Sequence, residues 1–414
     1  MPVGDVAEWM EEYGAPEFVW YVKRLSGNDT LANGSHQAGP YIPRDFLFEV
    51  FPALNRRELK NPDVRFTTYV DSHPDVREVR AVWYNNRFHD SSSSRGRDET
   101  RVTGFGGSAS ALLDPESTGA LTVFAFRRAA EGETADCHVW VCRHGTEEDL
   151  VEDRVGPVEP GKYLIWPQAQ EGLLSLLAQP AVRASCWLAN DEIPIAWRTR
   201  FPSGADIIQR AVELRPDTGL DPDRRLLRRR ECEYEIFRSV EQALEMPHIA
   251  AGFATIDAFV SRAQTILQRR KARSGHSLEL HARTIFVEER LIDGTHFSHQ
   301  PESEPGKRPD FLFPSAAAYH DASFPRERLR MLAVKTTCRD RWRQILNEAD
   351  HIPNKHLLTL QEGVSETQFR EMTHAGVQLV VPSGLFGTFP KAVQPHLQTF
   401  ESFIGDVRLL PVGG

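Results

Sequence analysis

The texture of the chain changes near residue 180, and that change limits what it can fold into. From about residue 17 to 170, apolar and aromatic residues come in short runs separated by turn residues. Examples are Phe18 to Val22, Val64 to Val70, Val79 to Phe88, Leu121 to Phe126, His138 to Cys142 and Lys162 to Trp166. Runs of this length bounded by turns read as strands. Beyond 180, apolar residues recur at i, i+3 and i+4 over Ile207 to Leu214, Tyr234 to Met246 and Phe253 to Leu267, the period of amphipathic helices. Strand-like segments follow at Phe311 to Phe313, Met331 to Thr336, His356 to Leu360 and Val377 to Val381. At 414 residues the chain exceeds one ordinary core. The expectation is a mainly β domain over 1–180, a linker over 181–198 and an α/β domain with a central mixed sheet over 199–414.

The N-terminus opens on acidic residues instead of a basic and then apolar stretch, and no apolar run approaches a membrane span. A cytoplasmic protein is expected. The five cysteines, Cys137, Cys142, Cys186, Cys232 and Cys338, form no CxxC pair and read as reduced, packed thiols. The formal net charge of −9 opposes contact with a polyanion, but positive charge is concentrated at Arg224-Arg225, Arg228 to Arg230 and Arg269 to Arg273. Such runs are either a local basic surface or solvated helix faces.

The chemistry is densest between Pro309 and Glu348. Asp310 precedes the apolar run Phe311 to Phe313, and Lys335 follows 25 positions later in Leu332-Ala333-Val334-Lys335-Thr336. Strand alternation puts Leu332 and Val334 on one face and Lys335 on the other. Asp340 is placed to cap a helix over 341–350 with an apolar stripe of Trp342, Ile345, Leu346 and Ala349, and Glu348 lies on the flank of that stripe. Carboxylates that hold Mg²⁺ beside a lysine are what phosphodiester hydrolysis requires. Each residue alone is equally at home in an ordinary strand or helix.

The run Lys307-Arg308-Pro309-Asp310-Phe311-Leu312-Phe313, then Tyr319, then Leu332 through Ala349, with Lys355 to Gly363 and Val380 to Pro382, resembles the C-terminal nuclease domain of the EcoRII family. That family consists of type II (type IIE) restriction endonucleases of the PD-(D/E)XK superfamily. The resemblance implies Asp310, Lys335 and Glu348 as catalytic residues, with Asp310 and Glu348 holding Mg²⁺. It adds Tyr319 and Arg339 to the active site. Ala333 occupies the position where the ordinary motif has an acid, so Glu348 takes over that role, and Arg339 stands where the family pattern has lysine. Lys271 to Glu279 resembles a segment entering a helix that contributes an acid, making Glu279 a fourth candidate beside Glu288 and Glu289. Arg228, Arg229, Arg230 and Glu231 resemble the arginine-rich recognition segment, with the base-reading arginine left open.

In the first half, Trp20 to Ser26, Asn28 to Thr30, Gly34 to Gly39 and Arg95 to Gly104 resemble the family's N-terminal effector domain. That domain is a β-pseudobarrel like those of plant transcription factors, and two of its loops embrace the major groove. The resemblance makes Lys23, His36, Arg95, Arg97, Glu99 and Arg101 DNA contacts. It further implies a homodimer that cuts double-stranded DNA at a CCWGG-like site. A cytosine-5 methyltransferase would protect host DNA, and the effector domain would bind a second site and restrain cutting. An endonuclease that requires methylated DNA and a regulator on a decayed nuclease fold are the alternatives.

Overall fold

The computed structural model describes residues 5–34, 39–89, 98–128, 136–166 and 186–411. It divides into two compact units: one of 1–178 with 361–370 and 387–395, the other of 179–360 with 371–386 and 396–414.

The first unit is built on seven strands: β1 (Phe18–Arg24), β2 (Asp63–Val70), β3 (Asp75–Tyr84), β4 (Glu99–Thr103), β5 (Leu121–Arg127), β6 (Asp136–Val141) and β7 (Tyr163–Trp166). Their order is β4-β3-β2-β6-β5-β1-β7, antiparallel except for β2 beside β6. The order is linear, with β4 and β7 as edges, which is a half-barrel and not a closed cylinder. Burial explains why the strand signal differs along the sheet. β1 and β5 are apolar throughout because both faces are covered. On one side Val19, Tyr21, Phe124 and Phe126 pack with Phe46 and Leu47; on the other, Phe18, Trp20, Val22 and Val123 pack with Trp9 and Trp140. Trp9 comes from α1 (Val6–Glu12), and Phe46 from α2 (Arg44–Val50). β2 and β3 alternate buried and accessible residues over much of their length, as expected of a sheet with one open face.

The second unit holds a five-stranded sheet of β8 (Ser298–His299), β9 (Phe311–Phe313), β10 (Arg330–Val334), β11 (Lys355–Leu358) and β12 (Val377–Val380), in the order β12-β11-β10-β9-β8. β10, β11 and β12 are parallel; β8 and β9 are antiparallel additions, so the sheet is mixed. Helices α3 (Gly204–Leu214), α4 (Pro222–Ala251), α5 (Ile256–Glu288) and α6 (Phe400–Arg408) accompany it. Leu226, Leu278, Ile285, Phe286, Phe400 and Phe403 pack against Phe311, Phe313, Leu332, Val334, Leu358 and Val380, forming the core between helices and sheet.

α4 and α5 are far longer than their apolar periodicity suggested. Asp221 caps the start of α4 with Pro222 in the first turn, and Gly252, at φ 75°, ends it. Thr255 then caps α5 through the Ala258 amide. Phe253 therefore lies in the connection, and the segment 271–279 sits mid-helix instead of entering a helix.

Most arginines of the basic runs on these helices are tied to glutamates of the facing helix, while Arg224 and Arg228 stay exposed. Arg273 pairs with Glu233 at 2.6 Å, Arg270 with Glu241 at 2.7 Å, and Arg269 and Arg262 with Glu245 at 2.8 and 2.5 Å. Arg225 and Arg229 close the other end on Glu288. As one partner's number rises the other's falls, as antiparallel helices require. Two cysteines also depart from the expected thiols: Cys186 and Cys232, 46 positions apart, form a disulfide, while Cys137, Cys142 and Cys338 are buried and outside any disulfide. The helix pattern carried no sign that a segment so distant in sequence lies on α4. Among the described residues, no helix is long and apolar enough to cross a membrane.

Candidate active site

Asp310 immediately precedes β9, and Lys335 immediately follows β10, which pairs with β9 in antiparallel register. The pairing brings the lysine ammonium to 3.3 Å from Asp310 Oδ2. The same oxygen accepts the Val334 amide at 2.7 Å. Both bonds fall on Oδ2, and among the described residues Oδ1 takes none. Lys335 is thus one residue beyond the strand in which the sequence placed it, with its own amide donating to the Leu358 carbonyl at 3.0 Å. Leu332 and Val334 face the core, as alternation requires. Ala333, two positions before Lys335, is fully buried and offers no acid to the site.

Glu348 does not stand on an α-helix. Residues Arg341–Asn347 form a 3₁₀ helix, and Asp340 makes no side-chain cap. Trp342, Ile345 and Ala349 are buried as expected, which holds the segment against the unit. Glu348 ends it in an extended conformation, and Ala349 follows at φ 49°. The turn is secured from beneath by Lys355, whose ammonium donates to the carbonyls of Glu348, Ala349 and Ile352 at 2.5, 3.2 and 2.9 Å.

The electrostatics of these acids are those of a site short of positive charge. Burial pushes the Glu348 carboxyl up to about 7; Lys335 works against the rise, and Asp310 adds to it. Burial also raises Asp310, opposed by Lys335 and the Val334 amide and reinforced by Glu279. Oε2 of Glu348 is buried and has no hydrogen-bond partner. Glu279 behaves differently. Burial would raise it, but bonds from His299 at 2.6 Å and Gln300 at 2.7 Å outweigh that and hold it below the usual carboxylate range. Asp310, Lys335, Glu348 and Glu279 therefore belong to one electrostatic neighbourhood.

Among the described residues, no three His, Cys, Asp or Glu side chains are grouped closely enough to hold a metal ion. The donor set nonetheless suits Mg²⁺, which retains several waters and is commonly bound through one or two carboxylates. Glu348 Oε2 and Asp310 Oδ1 are the oxygens not already engaged.

Other sequence candidates fall elsewhere. Tyr319, on the short helix Ala316–His320, is buried. Its hydroxyl donates to Glu304 and accepts the His351 amide at 3.1 Å, so it braces the turn beyond Glu348. Arg339 is half-buried near the start of the 3₁₀ segment. Arg229 cannot read a base from its position: its side chain is 1% exposed and bonds Glu288 and the Arg215 and Pro216 carbonyls. Arg230 is buried beside Glu233 at 3.5 Å. Arg228 alone of the three is exposed, 3.5 Å from Asp217. Glu288 and Glu289 are partners of the arginines of α4.

In the first unit, Lys23 is tied to the buried Asp29 at 2.6 Å, and that carboxylate also takes the Ser26 amide and hydroxyl. Glu99 and Arg101 lie 3.1 Å apart on the edge strand β4, where charge also discourages pairing with another sheet. His36, Arg95 and Arg97 lie outside the described residues. Sequence reasoning passed over Lys355, His299 and Gln300. A lysine opening the apolar strand β11 was the available signal for Lys355; the other two had none.

Comparisons with known proteins agree on the family. Residues 14–171 match the family described as restriction endonuclease EcoRII, N-terminal, and 237–404 match EcoRII C terminal. Among solved structures, metal-depleted Ecl18kI in complex with uncleaved, modified DNA is 16% identical with a TM-score of 0.42, covering 51% of this chain and 80% of its own. The UbaLAI restriction endonuclease B3 domain with cognate DNA is 17% identical with a TM-score of 0.27, covering 39% and 96%. The type II restriction enzyme EcoRII of Escherichia coli is 45% identical over 403 residues, 96% of either chain. Both halves are matched and the identity runs nearly end to end, so the chain belongs to the EcoRII family of type II restriction endonucleases.

Proposed function

We propose that this protein hydrolyses double-stranded DNA at a short symmetric, CCWGG-like site with Mg²⁺, acting as a homodimer, and that Asp310, Lys335 and Glu348 carry the chemistry. The observation behind this reading is the placement of Lys335 3.3 Å from Asp310, in the electrostatic reach of a half-buried Glu348 whose Oε2 has no partner. Asp310 and Glu348 would hold the Mg²⁺, which when bound polarises the scissile phosphate and acidifies water. Lys335 supplies a fixed positive charge where the attacked phosphate gains negative charge. Cutting two antiparallel strands calls for two such sites related by a two-fold axis, hence the dimer.

The N-terminal unit would bind a second copy of the site and restrain cutting until it does, and a cytosine-5 methyltransferase would protect host DNA. Among the DNA contacts proposed for it, Glu99 and Arg101 suit groove edges, because carboxylates accept from cytosine N4 and guanidinium pairs with guanine. In the second unit Arg228 is the arginine of its run available to DNA.

The test is digestion of unmethylated and cytosine-methylated plasmid with Mg²⁺ beside Asp310→Ala, with the ends sequenced. Discrete ends before the first cytosine of CCWGG, lost in the variant, are the expected result. Cutting only after methylation would instead support a reader of modified bases, and binding without cutting a regulator. Restraint by the N-terminal unit predicts that deleting residues 1–180 raises activity on a single-site substrate.

A further inference from the structure

The last buried residue of α4 is Glu245 and the first of α5 is Ser277; no residue from 246 to 276 is buried. The end of this helical hairpin is nonetheless apolar. Met246, Ile249, Ile256, Phe259 and Val260 are each between 42% and 80% exposed, and nowhere else among the described residues do more than two large apolar side chains stand exposed so close together in sequence. Phe253, in the connection, meets Phe259 edge to face at 5.4 Å.

The ion pairs show which way these side chains point. Arg262 and Arg269 on α5 reach Glu245 on α4, and Arg270 reaches Glu241, so these residues mark the sides on which the helices face each other. At about 100° per residue, Met246 and Ile249 lie about a third of a turn round α4 from that side, and Ile256 and Val260 about a third of a turn round α5 in the same sense. On antiparallel helices two such turns open on the same side, so the five form one face of the hairpin.

Their exposed apolar surface is on the order of 500 Å², the size at which a patch marks an interaction site. A stable interface takes about 800 Å² from each partner, somewhat over half of it apolar, so this face has the area of one side of such a contact. A two-fold contact sets a patch against its own copy, which requires that it not repel itself. The charges flanking the face, Arg262 and Glu245, are paired at 2.5 Å and bring no net charge to it. A strongly acidic or basic partner would find little here to pair with, whereas an identical apolar face fits.

We propose that two copies of the chain meet through this face, hairpin against hairpin, as a four-helix contact about a two-fold axis. This rests on the reading of the enzyme as a homodimer and assigns the surface that makes it one. The ladder holds the face in shape before the copies meet.

The experiment is sedimentation velocity on the full chain across the micromolar range, beside Phe259→Glu and Ile256→Glu. A dimeric wild type and monomeric variants are expected: each charge enters a two-fold contact twice, so the dissociation constant should rise by about 100-fold or more. Helical circular dichroism and a cooperative melt should persist, since neither side chain is buried in its own unit. Variants that sediment as the wild-type dimer overturn the proposal and leave the homodimer standing, whereas a monomeric wild type removes both. If Phe259→Glu fails to melt cooperatively, Ile256→Glu decides by the same readout. A photo-crosslinker carried on Phe259→Cys identifies the occupant: a bond between two chains supports the second copy. Bonds formed only within one chain, as to the apolar run Leu173 to Leu177, overturn it.

Discussion

The Lys355 ammonium lies 2.5 Å from the main-chain carbonyl of Glu348, so the cation attaches to the backbone of the acid and not to its carboxylate. Two more carbonyls of the same turn share it, and burial lowers the pKa of the lysine. Lys355→Met would leave three carbonyls without their donor and free the turn that carries Glu348. Its cost should be roughly 3 kcal/mol of stability, with cleavage reduced beyond what the lower folded fraction explains. Chemical denaturation alongside single-turnover kinetics measures both, and an active, fully stable variant would rule the role out.

Glu348 sets a pH dependence. Its folded-state carboxyl titrates near 7 against an ordinary value near 4.5, so the metal-free native state binds more protons than the unfolded chain between those values. Stability of the metal-free protein should therefore fall as pH rises through that window, by on the order of 2 kcal/mol from this residue. Glu348→Gln should melt a few degrees higher than wild type above pH 7, without metal, while losing cleavage. Thermal melts from pH 5 to 8 with and without Mg²⁺ decide it; an unchanged pH profile in the variant would contradict the assignment.

Arg229 and Arg228 offer a direct contrast between a structural arginine and an accessible one. Arg229→Ala removes one of the two arginines that pair with Glu288 and strands two carbonyls, and should destabilise the second unit by about 2 to 4 kcal/mol. Arg228→Ala should change stability by less than about 0.5 kcal/mol and weaken binding to cognate DNA. Melting curves and fluorescence anisotropy on both variants check this, and equal melting temperatures would refute it.

The Cys186–Cys232 bond closes a loop of 46 residues, for which chain entropy gives about 4 kcal/mol at most. Dithiothreitol should lower the melting temperature of the second unit, and Cys232→Ser should show the lower value with or without reductant. A wild-type melt indifferent to reductant would mean the bond does not contribute.

Much of the architecture was legible from period alone. β1 and β5 announce themselves as unbroken apolar runs because both faces are covered, and Asp310 and Lys335 converge because β9 and β10 are adjacent antiparallel strands. Glu348 was found by likeness and then misplaced on an α-helix, because Trp342 and Ile345 fit a helical stripe whether the turn is α or 3₁₀. The arginine runs misled because sequence shows charge but not its partner, and the partners lie up to 64 residues away. His299 and Gln300 acquire meaning only through a glutamate 20 and 21 positions upstream on another element.

The arginine–glutamate ladder between α4 and α5 also works as a vernier. A slip of one helical turn, about 5.4 Å, would carry several guanidinium groups off their carboxylates at once and leave buried charges on both helices unmatched. Apolar contacts alone would tolerate such a slip far more easily, since one leucine packs much like another. The ladder admits a single alignment, and because Glu279 rides on α5, the depth at which that acid reaches the sheet is fixed by ion pairs several turns away.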